Sequence, residues 1–558
     1  MHFTLRITGA AGLGINSLAD ITGNMLSHLG YYVTGDLEYE SRIKGGTNWF
    51  DLNISDTRPS VRRTIDVLLA YDIGGLKKSI TAIREGGFII ANAKLKEKFT
   101  PEIESAIAER KLNFLSIEIT DKYENVYLLG ILVKLLGIDA STVHDEIRMV
   151  FGKKGEEVVS HNIGVVDTIY ASYELGVTSP WKMSSQGVHR EFTYGNKIIA
   201  LGAVDSELEY YSAYPMTPAS SVLTEIIASG KVPYLQAEDE IAVMNSALGA
   251  AFTGARAMVG TSGGGFALMT EGLSFAAQAE FPIVALLSQR AGPSTGTPTF
   301  HEQGEIRYAL VPTFGEFGHV VLCPSSFHEA YLFAGLALNI AQKYQTIVIL
   351  LTDKQFSELH SSYDALPPPT PVDRGKLLET PSPDYKRYEL TEDGISPYVK
   401  VGTENGDFIA TSYEHDEYGA TTESPELKGK MTEKRAKKLD NFFEKEGYRG
   451  YEMVNGGAKK IIVTLSANRI VAEDFIAENP EYGLMVIKFL LPVDTKIRDE
   501  LIGKDEVIFM EGNYSGQLEE HLVRTLDIDH IDGLKISNFR KYTLYPFYRE
   551  EMDERFKK

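Results

Sequence analysis

The sequence holds a single cysteine, Cys323, among 558 residues. One thiol cannot form an internal disulfide, a cysteine-based zinc site or the thiolate cage of an iron–sulfur cluster. Positive charge is also in deficit, since 56 Lys and Arg against 77 Asp and Glu give a formal net charge of -21. Such a surface repels nucleic-acid phosphates and anionic membranes, so neither is an expected partner. Long apolar runs are missing too: the most apolar, Tyr127 to Ile138, carries Lys134 and is too short to span a bilayer. The first residues, Met1-His2-Phe3-Thr4-Leu5-Arg6-Ile7-Thr8, have neither the basic region nor the apolar core of a signal peptide, and a cytoplasmic location is expected. What is there is globular, with 43% hydrophobic and 24% charged residues in a chain long enough for several domains.

Short β-branched runs alternate with helical periodicity, which predicts a multidomain α/β protein. Strands are expected over 3–8, 67–70, 87–91 and 113–119, and helices over 15–29, 125–137 and 140–152, within a first domain of residues 1–178. Periodicity lapses around Gly176 to Gly187, so 179–194 reads as a linker. From residue 195 the rhythm resumes, with helices near 238–254, 266–279 and 327–343 and strands at 256–260, 283–288 and 346–351, the βαβ units of a parallel sheet filling a second domain, 195–365. Pro367-Pro368-Pro369-Thr370-Pro371 opens a charged, irregular segment, 366–455, and a last α/β domain covers 456–558.

Five stretches hold residues suited to chemistry. Gly9-Ala10-Ala11-Gly12-Leu13-Gly14 joins a strand to a helix, where backbone N–H groups favour an anion. Its spacing is not the dinucleotide fingerprint and no Walker lysine follows, so a tight structural turn explains it equally. Arg42 and Lys44 beside Gly45-Gly46 suit a phosphate, or form a solvated loop. In Tyr214-Pro215-Met216-Thr217-Pro218 two prolines stiffen a turn, with Thr217 reading as a helix N-cap that also fixes a hydroxyl. Glu238, Asp239 and Glu240 open a helix; the dipole accounts for two of them. Glu240 instead neighbours the apolar face of Met244, Ala247 and Leu248, where a carboxylate must find a donor or shift its pKa. Thr261-Ser262-Gly263-Gly264-Gly265-Phe266 bears three consecutive glycines, whose entropic cost implies a close approach to that backbone. At the carboxyl end of the next strand Arg290 offers a planar fork to a carboxylate, and His301 follows, although an exposed loop position is the plainer account of His301.

Together with Gly254-Ala255-Arg256-Ala257, Gln289-Arg290, Gly292-Pro293-Ser294-Thr295-Gly296, Glu414-His415-Asp416-Glu417 and Glu511-Gly512-Asn513-Tyr514-Ser515-Gly516-Gln517-Leu518, these motifs resemble in order and spacing the α subunit of 2-oxoacid:ferredoxin oxidoreductases. The first 175 or so residues resemble the family's γ domain, fused in front as in the 2-oxoglutarate type. The resemblance implies a Rossmann-like γ domain, a pyrimidine-type thiamine-diphosphate-binding domain and a transketolase-C-like C-terminal domain. It implies an enzyme that decarboxylates a 2-oxoacid oxidatively to an acyl-CoA and passes electrons to ferredoxin, or runs in reverse, with 2-oxoglutarate favoured. By resemblance, Glu240 hydrogen-bonds the cofactor's aminopyrimidine, whose imino tautomer removes the thiazolium C2 proton; Thr217 contacts the substrate and Arg290 pairs with its carboxylate. Tyr214, Pro215, Met216, Ser262, Gly263 and Gly264 would line the cofactor, with His301, Arg42, Lys44 and Asn513 as substrate or CoA residues.

The chain departs from the family at Met216, usually isoleucine, at Gly264, commonly proline, and in Thr299-Phe300-His301-Glu302-Gln303. Gly406-Asp407-Phe408 is a poor match to the Gly-Asp-Gly diphosphate motif, and no metal site is expected on this chain. A β subunit is therefore expected to supply the diphosphate site, Mg²⁺ and a [4Fe-4S] cluster, in an αβ or α2β2 assembly. The competing readings are pyruvate or a branched-chain 2-oxoacid as substrate, a non-redox split thiamine enzyme, and a nucleotide-binding scaffold.

Overall fold

A computed structural model describes residues 1–39, 46–120 and 123–557. The chain divides into two compact units, one of Met1–Tyr194, Glu358–Ala365 and Tyr548–Lys558, the other of Gly195–Ser357 and Leu366–Phe547. No helix among the described residues is long and apolar enough to cross a membrane.

The first unit is built on an eight-stranded mixed sheet, in the spatial order Asn113–Ile117, Ile83–Asn92, Ile65–Ala70, His2–Ala10, Thr47–Ser55, Tyr32–Glu38, His360–Tyr363, Glu191–Tyr194. His2–Ala10 runs parallel to Ile65–Ala70 and antiparallel to Thr47–Ser55, with Phe3 opposite Ile54 and Ile7 opposite Phe50. The strand Thr47–Ser55 is hard to read from sequence because Asn and Asp interrupt its apolar residues. Those polar groups are buried in pairs: Asp51 accepts two guanidinium bonds from Arg6, each at 2.6 Å, and Thr4 Oγ1 donates to Asn53 at 2.9 Å. Helices Ile15–His28 and Glu124–Leu135 bury their apolar residues in the same core.

The units are cut differently from the sequence expectation. Glu191–Tyr194 is a strand of the first sheet rather than linker, because His360–Tyr363 pairs with it on one side and with Tyr32–Glu38 on the other. Residues 358–365 thereby leave the expected second domain. Helix Arg549–Phe556 also returns to the first unit, where the Arg549 N–H donates to the Val61 carbonyl at 2.9 Å. The stretch around Gly176 to Gly187 is pinned by two apolar side chains, Trp181 and Met183, that are buried in the core; Trp181 packs 5.0 Å from Phe3 and 5.5 Å from Phe88.

The second unit contains a seven-stranded sheet ordered Phe489–Leu491, Val320–Leu322, Ile347–Asp353, Ile283–Gln289, Ala257–Thr261, Tyr210–Ala213, Tyr234–Gln236, parallel except at Phe489–Leu491. Ile283–Gln289 and Ile347–Asp353 are buried at every residue, which is why they read as unbroken apolar runs. A five-stranded sheet follows, ordered Tyr451–Val454, Tyr482–Ile487, Lys460–Thr464, Glu506–Glu511, Lys535–Arg540, and one apolar core runs from Val243 and Phe266 to Phe509 and Leu522. Residues 366–424 contain neither helix nor strand, yet the charged segment is fastened inward. Buried Glu280 receives Lys434 and Lys438, both at 2.6 Å. Burial would push its carboxyl up, but those ammonium groups and Arg387 outweigh burial and hold it well below the carboxylate range. Glu414 likewise takes Arg435 at 2.8 Å and Lys428 at 2.9 Å, which gives the Glu414 to Glu417 motif a structural task.

Candidate active site

Parallel strands Tyr210–Ala213, Ala257–Thr261 and Ile283–Gln289 are neighbours, so the segments that leave their carboxyl ends meet at one sheet edge. In open α/β sheets this edge is where ligands bind. The three segments are those with Thr217, the glycine turn and Arg290.

Glu240 starts the helix Glu240–Phe252, with Asp239 as N-cap accepting from the Ala242 N–H at 2.8 Å. The Glu240 side chain is buried, and its Oε1 has no hydrogen-bond partner. Burial, then Asp239, push its pKa up against the pull of its own backbone N–H and of Arg290. A buried acceptor left unpaired costs about 1–3 kcal/mol, so an atom in this state is poised for a donor or, once protonated, for an acceptor.

The glycine turn explains how this oxygen fits. Helix Gly263–Leu268 begins inside the glycine run, with Ser262 as an N-cap whose hydroxyl caps nothing and is buried without a partner. A Cβ on Gly265 would lie 2.2 Å from Glu240 Oε1 and 2.2 Å from Thr261 Oγ1. Glycine is there to admit the carboxyl. A Cβ on Gly263 would meet Glu305 Oε1 at 2.4 Å, whereas one on Gly264 meets nothing within 4 Å.

Residues 217–219 form a turn and the helix begins at Ser220, so Thr217 is not an N-cap. Its carbonyl instead accepts from Arg290 Nη1 at 2.7 Å. Arg290 is buried, and burial lowers its pKa against the pull of Glu305 and Glu240; a guanidinium stays charged in any case. Met216 is half-buried with its thioether 3.8 Å from Thr261 Oγ1, and Tyr214 and Pro215 are exposed. Thr217, Met216, Glu240, Thr261 to Gly265 and Arg290 are thus linked into one constellation.

His301 and Asn513 are held by contacts of their own. His301 is buried rather than exposed, its Nδ1 3.7 Å from Asp353 and neither ring nitrogen hydrogen-bonded. Burial lowers its pKa against Asp353, which favours the neutral ring. Its loop is drawn in because the Gln303 N–H donates to the Gly512 carbonyl at 2.7 Å and the His301 N–H to the Leu544 carbonyl at 3.0 Å. Asn513 is buried and fully used: Nδ2 donates to the Gln303 carbonyl at 3.1 Å and Glu511 at 2.7 Å, and Oδ1 accepts from Gly516 N at 2.8 Å and Gln517 N at 3.2 Å. It builds its own loop and has nothing left for a substrate. Arg42 and Lys44 lie outside the described residues. Sequence reasoning missed Glu305, whose acid touches the same turn, and the only hint of it was the unexplained run of three glycines.

The family model described as "Pyruvate flavodoxin/ferredoxin oxidoreductase, thiamine diP-bdg" matches residues 202–434, and "Pyruvate ferredoxin/flavodoxin oxidoreductase" matches residues 4–172. The two unpaired polar atoms, Glu240 Oε1 and Ser262 Oγ, and the glycine cradle fit such a cofactor. The 2-oxoacid:ferredoxin oxidoreductase subunit alpha of a Sulfolobus species is 31% identical across 99% of this chain and 96% of its own length. That of Saccharolobus solfataricus is 31% identical across 100% and 98%. The 2-oxoglutarate synthase subunit KorA of Methanocaldococcus jannaschii is 33% identical over 45% of this chain and 68% of its own length. The solved 2-oxoglutarate:ferredoxin oxidoreductase of Magnetococcus marinus, with 2-oxoglutarate, coenzyme A and succinyl-CoA bound, superposes with a TM-score of 0.87 at 29% identity, covering 100% of this chain and 99% of that one. The chain belongs to the 2-oxoacid:ferredoxin oxidoreductases, as a subunit of the α type.

Proposed function

We propose that this chain and a β subunit together catalyse the CoA-dependent oxidative decarboxylation of 2-oxoglutarate, or its reverse, in the cytoplasm with ferredoxin as electron partner. The observation that carries the reading is the unpaired, buried Glu240 Oε1 lodged against Gly265. Thiamine diphosphate, when bound, supplies the carbon nucleophile and the electron sink that loss of CO2 requires. Glu240 holds a proton at Oε1 for a ring nitrogen, a task suited to a carboxyl whose pKa is raised by burial. Ser262 Oγ offers a second polar contact, and Gly264 leaves room for close approach. Arg290, oriented by the Thr217 carbonyl, takes the substrate carboxylate through its planar fork.

Preference for 2-oxoglutarate is supported by the KorA relatives and by the ligands of the Magnetococcus marinus enzyme. The β subunit is assigned the diphosphate, Mg²⁺ and a [4Fe-4S] cluster because the one cysteine here is buried, with burial and Asp353 pushing its thiol pKa up. The test is to co-purify the chain with its β subunit and measure CoA-dependent dye reduction with 2-oxoglutarate, pyruvate and indolepyruvate. The expected result is a brown complex with the highest kcat/KM for 2-oxoglutarate. Turnover of none of the three would overturn the activity, and a preference for pyruvate would overturn the substrate.

A further inference from the structure

The glycine turn touches two acids, Glu240 at Gly265 and Glu305 at Gly263. Glu305 immediately precedes the short helix Ile306–Leu310, and its backbone N–H donates at 3.0 Å to Gln289, the last residue of Ile283–Gln289. This ties the acid to the strand end from which Arg290 leaves. Its Oε2 is buried without a hydrogen-bond partner. Charged groups face it from two elements, Glu302 from its own loop and the Arg290 guanidinium from the strand end, and the Arg290 backbone N–H donates to its carboxyl. The Arg290 guanidinium in turn feels both Glu305 and Glu240, yet its hydrogen bond goes to the Thr217 carbonyl.

An ionised carboxylate in this position is a natural partner for a guanidinium and would compete with any anionic ligand of Arg290. A protonated one does not. We propose that Glu305 is a positioning residue of the 2-oxoacid site: held against Gly263 as an uncharged acid, it leaves the charge of Arg290 to the substrate carboxylate, a role that rests on Arg290 being the carboxylate ligand. Burial, then Glu302, push the Glu305 carboxyl up to about 8, against the pull of Arg290. Below this pH the acid is neutral and Arg290 is open to substrate; above it an internal negative charge offsets that of Arg290 and weakens its hold on the substrate.

The test uses the assembled enzyme. KM for 2-oxoglutarate should rise above pH 8, approaching about tenfold per pH unit, while KM for CoA stays level. Glu305→Gln, uncharged at every pH, should flatten that rise so that the alkaline-to-neutral KM ratio falls to near one. Glu302→Gln removes the neighbouring negative charge and should shift the onset of the rise to lower pH, which keeps the role testable if the Glu305 variant fails to assemble. A rise that persists in Glu305→Gln, an onset unmoved in Glu302→Gln, or a parallel rise in KM for CoA would overturn the role. Arg290→Lys separates the two readings. If it raises KM for 2-oxoglutarate while the parent enzyme shows no alkaline rise, only the role of Glu305 falls. If it leaves KM unchanged, Arg290 is not the carboxylate ligand and both readings fall.

Discussion

Two strand–glycine–helix turns, at Gly9 to Gly14 in the first unit and at Gly263 to Gly265 in the second, use glycine for different reasons. In the first unit Gly12 and Gly14 sit at φ of 91° and 82°, in the left-handed region, and a Cβ on Gly12 would meet nothing within 4 Å. Their task is backbone conformation. The nearby acid, Asp72, is already engaged, accepting from Ala10 N at 2.6 Å and Gly75 N at 2.7 Å. In the second unit Gly263 and Gly265 have no left-handed φ, and each lies against a carboxyl oxygen. Their task is space. Where a glycine in ordinary backbone conformation has a neighbour pressed against it, the neighbour explains the glycine, and at Gly263 and Gly265 the neighbours are the acids of the site.

The comparison can be broken at its strongest point first. Glu240→Ala should cost about 10²–10⁴-fold in kcat, the usual worth of a positioned proton donor, with assembly intact. Normal turnover in CoA-dependent dye reduction would take Glu240 out of the mechanism. Gly265→Ala comes next: its methyl collides with Glu240 and Thr261, and an overpacking cost of about 1–3 kcal/mol should appear as lost turnover together with a lower unfolding temperature. Gly264→Ala, in open space, sharpens the contrast and should leave the unfolding temperature nearly unchanged. The smallest effect is expected in the other turn. Gly12→Ala should destabilise by about 1–2 kcal/mol through its left-handed φ while KM for the 2-oxoacid stays as it was. A larger loss of activity from Gly12→Ala than from Gly265→Ala would reverse the lesson.

Much of this contrast was legible in the chain itself. The βαβ rhythm of the second unit was plain because its central strands are buried throughout, and Glu240 stood out as an acid beside an apolar helix face. Thr47–Ser55 was opaque because its polar residues are satisfied by Arg6 and Thr4, partners more than 40 positions away in sequence. Local pattern does not reveal that distant backbone draws His301 inward, or that Asn513 spends its hydrogen bonds on Glu511, Gly516, Gln517 and the distant Gln303 carbonyl. Glu305 was invisible for the converse reason: it becomes interesting only because Gly263 lacks a side chain.

The order in which the first sheet is completed bears on how the protein is made. Its last two strand positions are filled by His360–Tyr363 and Glu191–Tyr194, and the second of these has no neighbour until the first arrives. At about 5–20 residues per second on the ribosome, Tyr32–Glu38 spends many seconds of synthesis as a bare sheet edge, open to pairing with other nascent chains. The helix Arg549–Phe556 comes later still, after the second unit has been made as far as Phe547. A fragment stopped at Tyr194 should therefore aggregate more readily, by light scattering, than one that also carries residues 358–365 and 548–557.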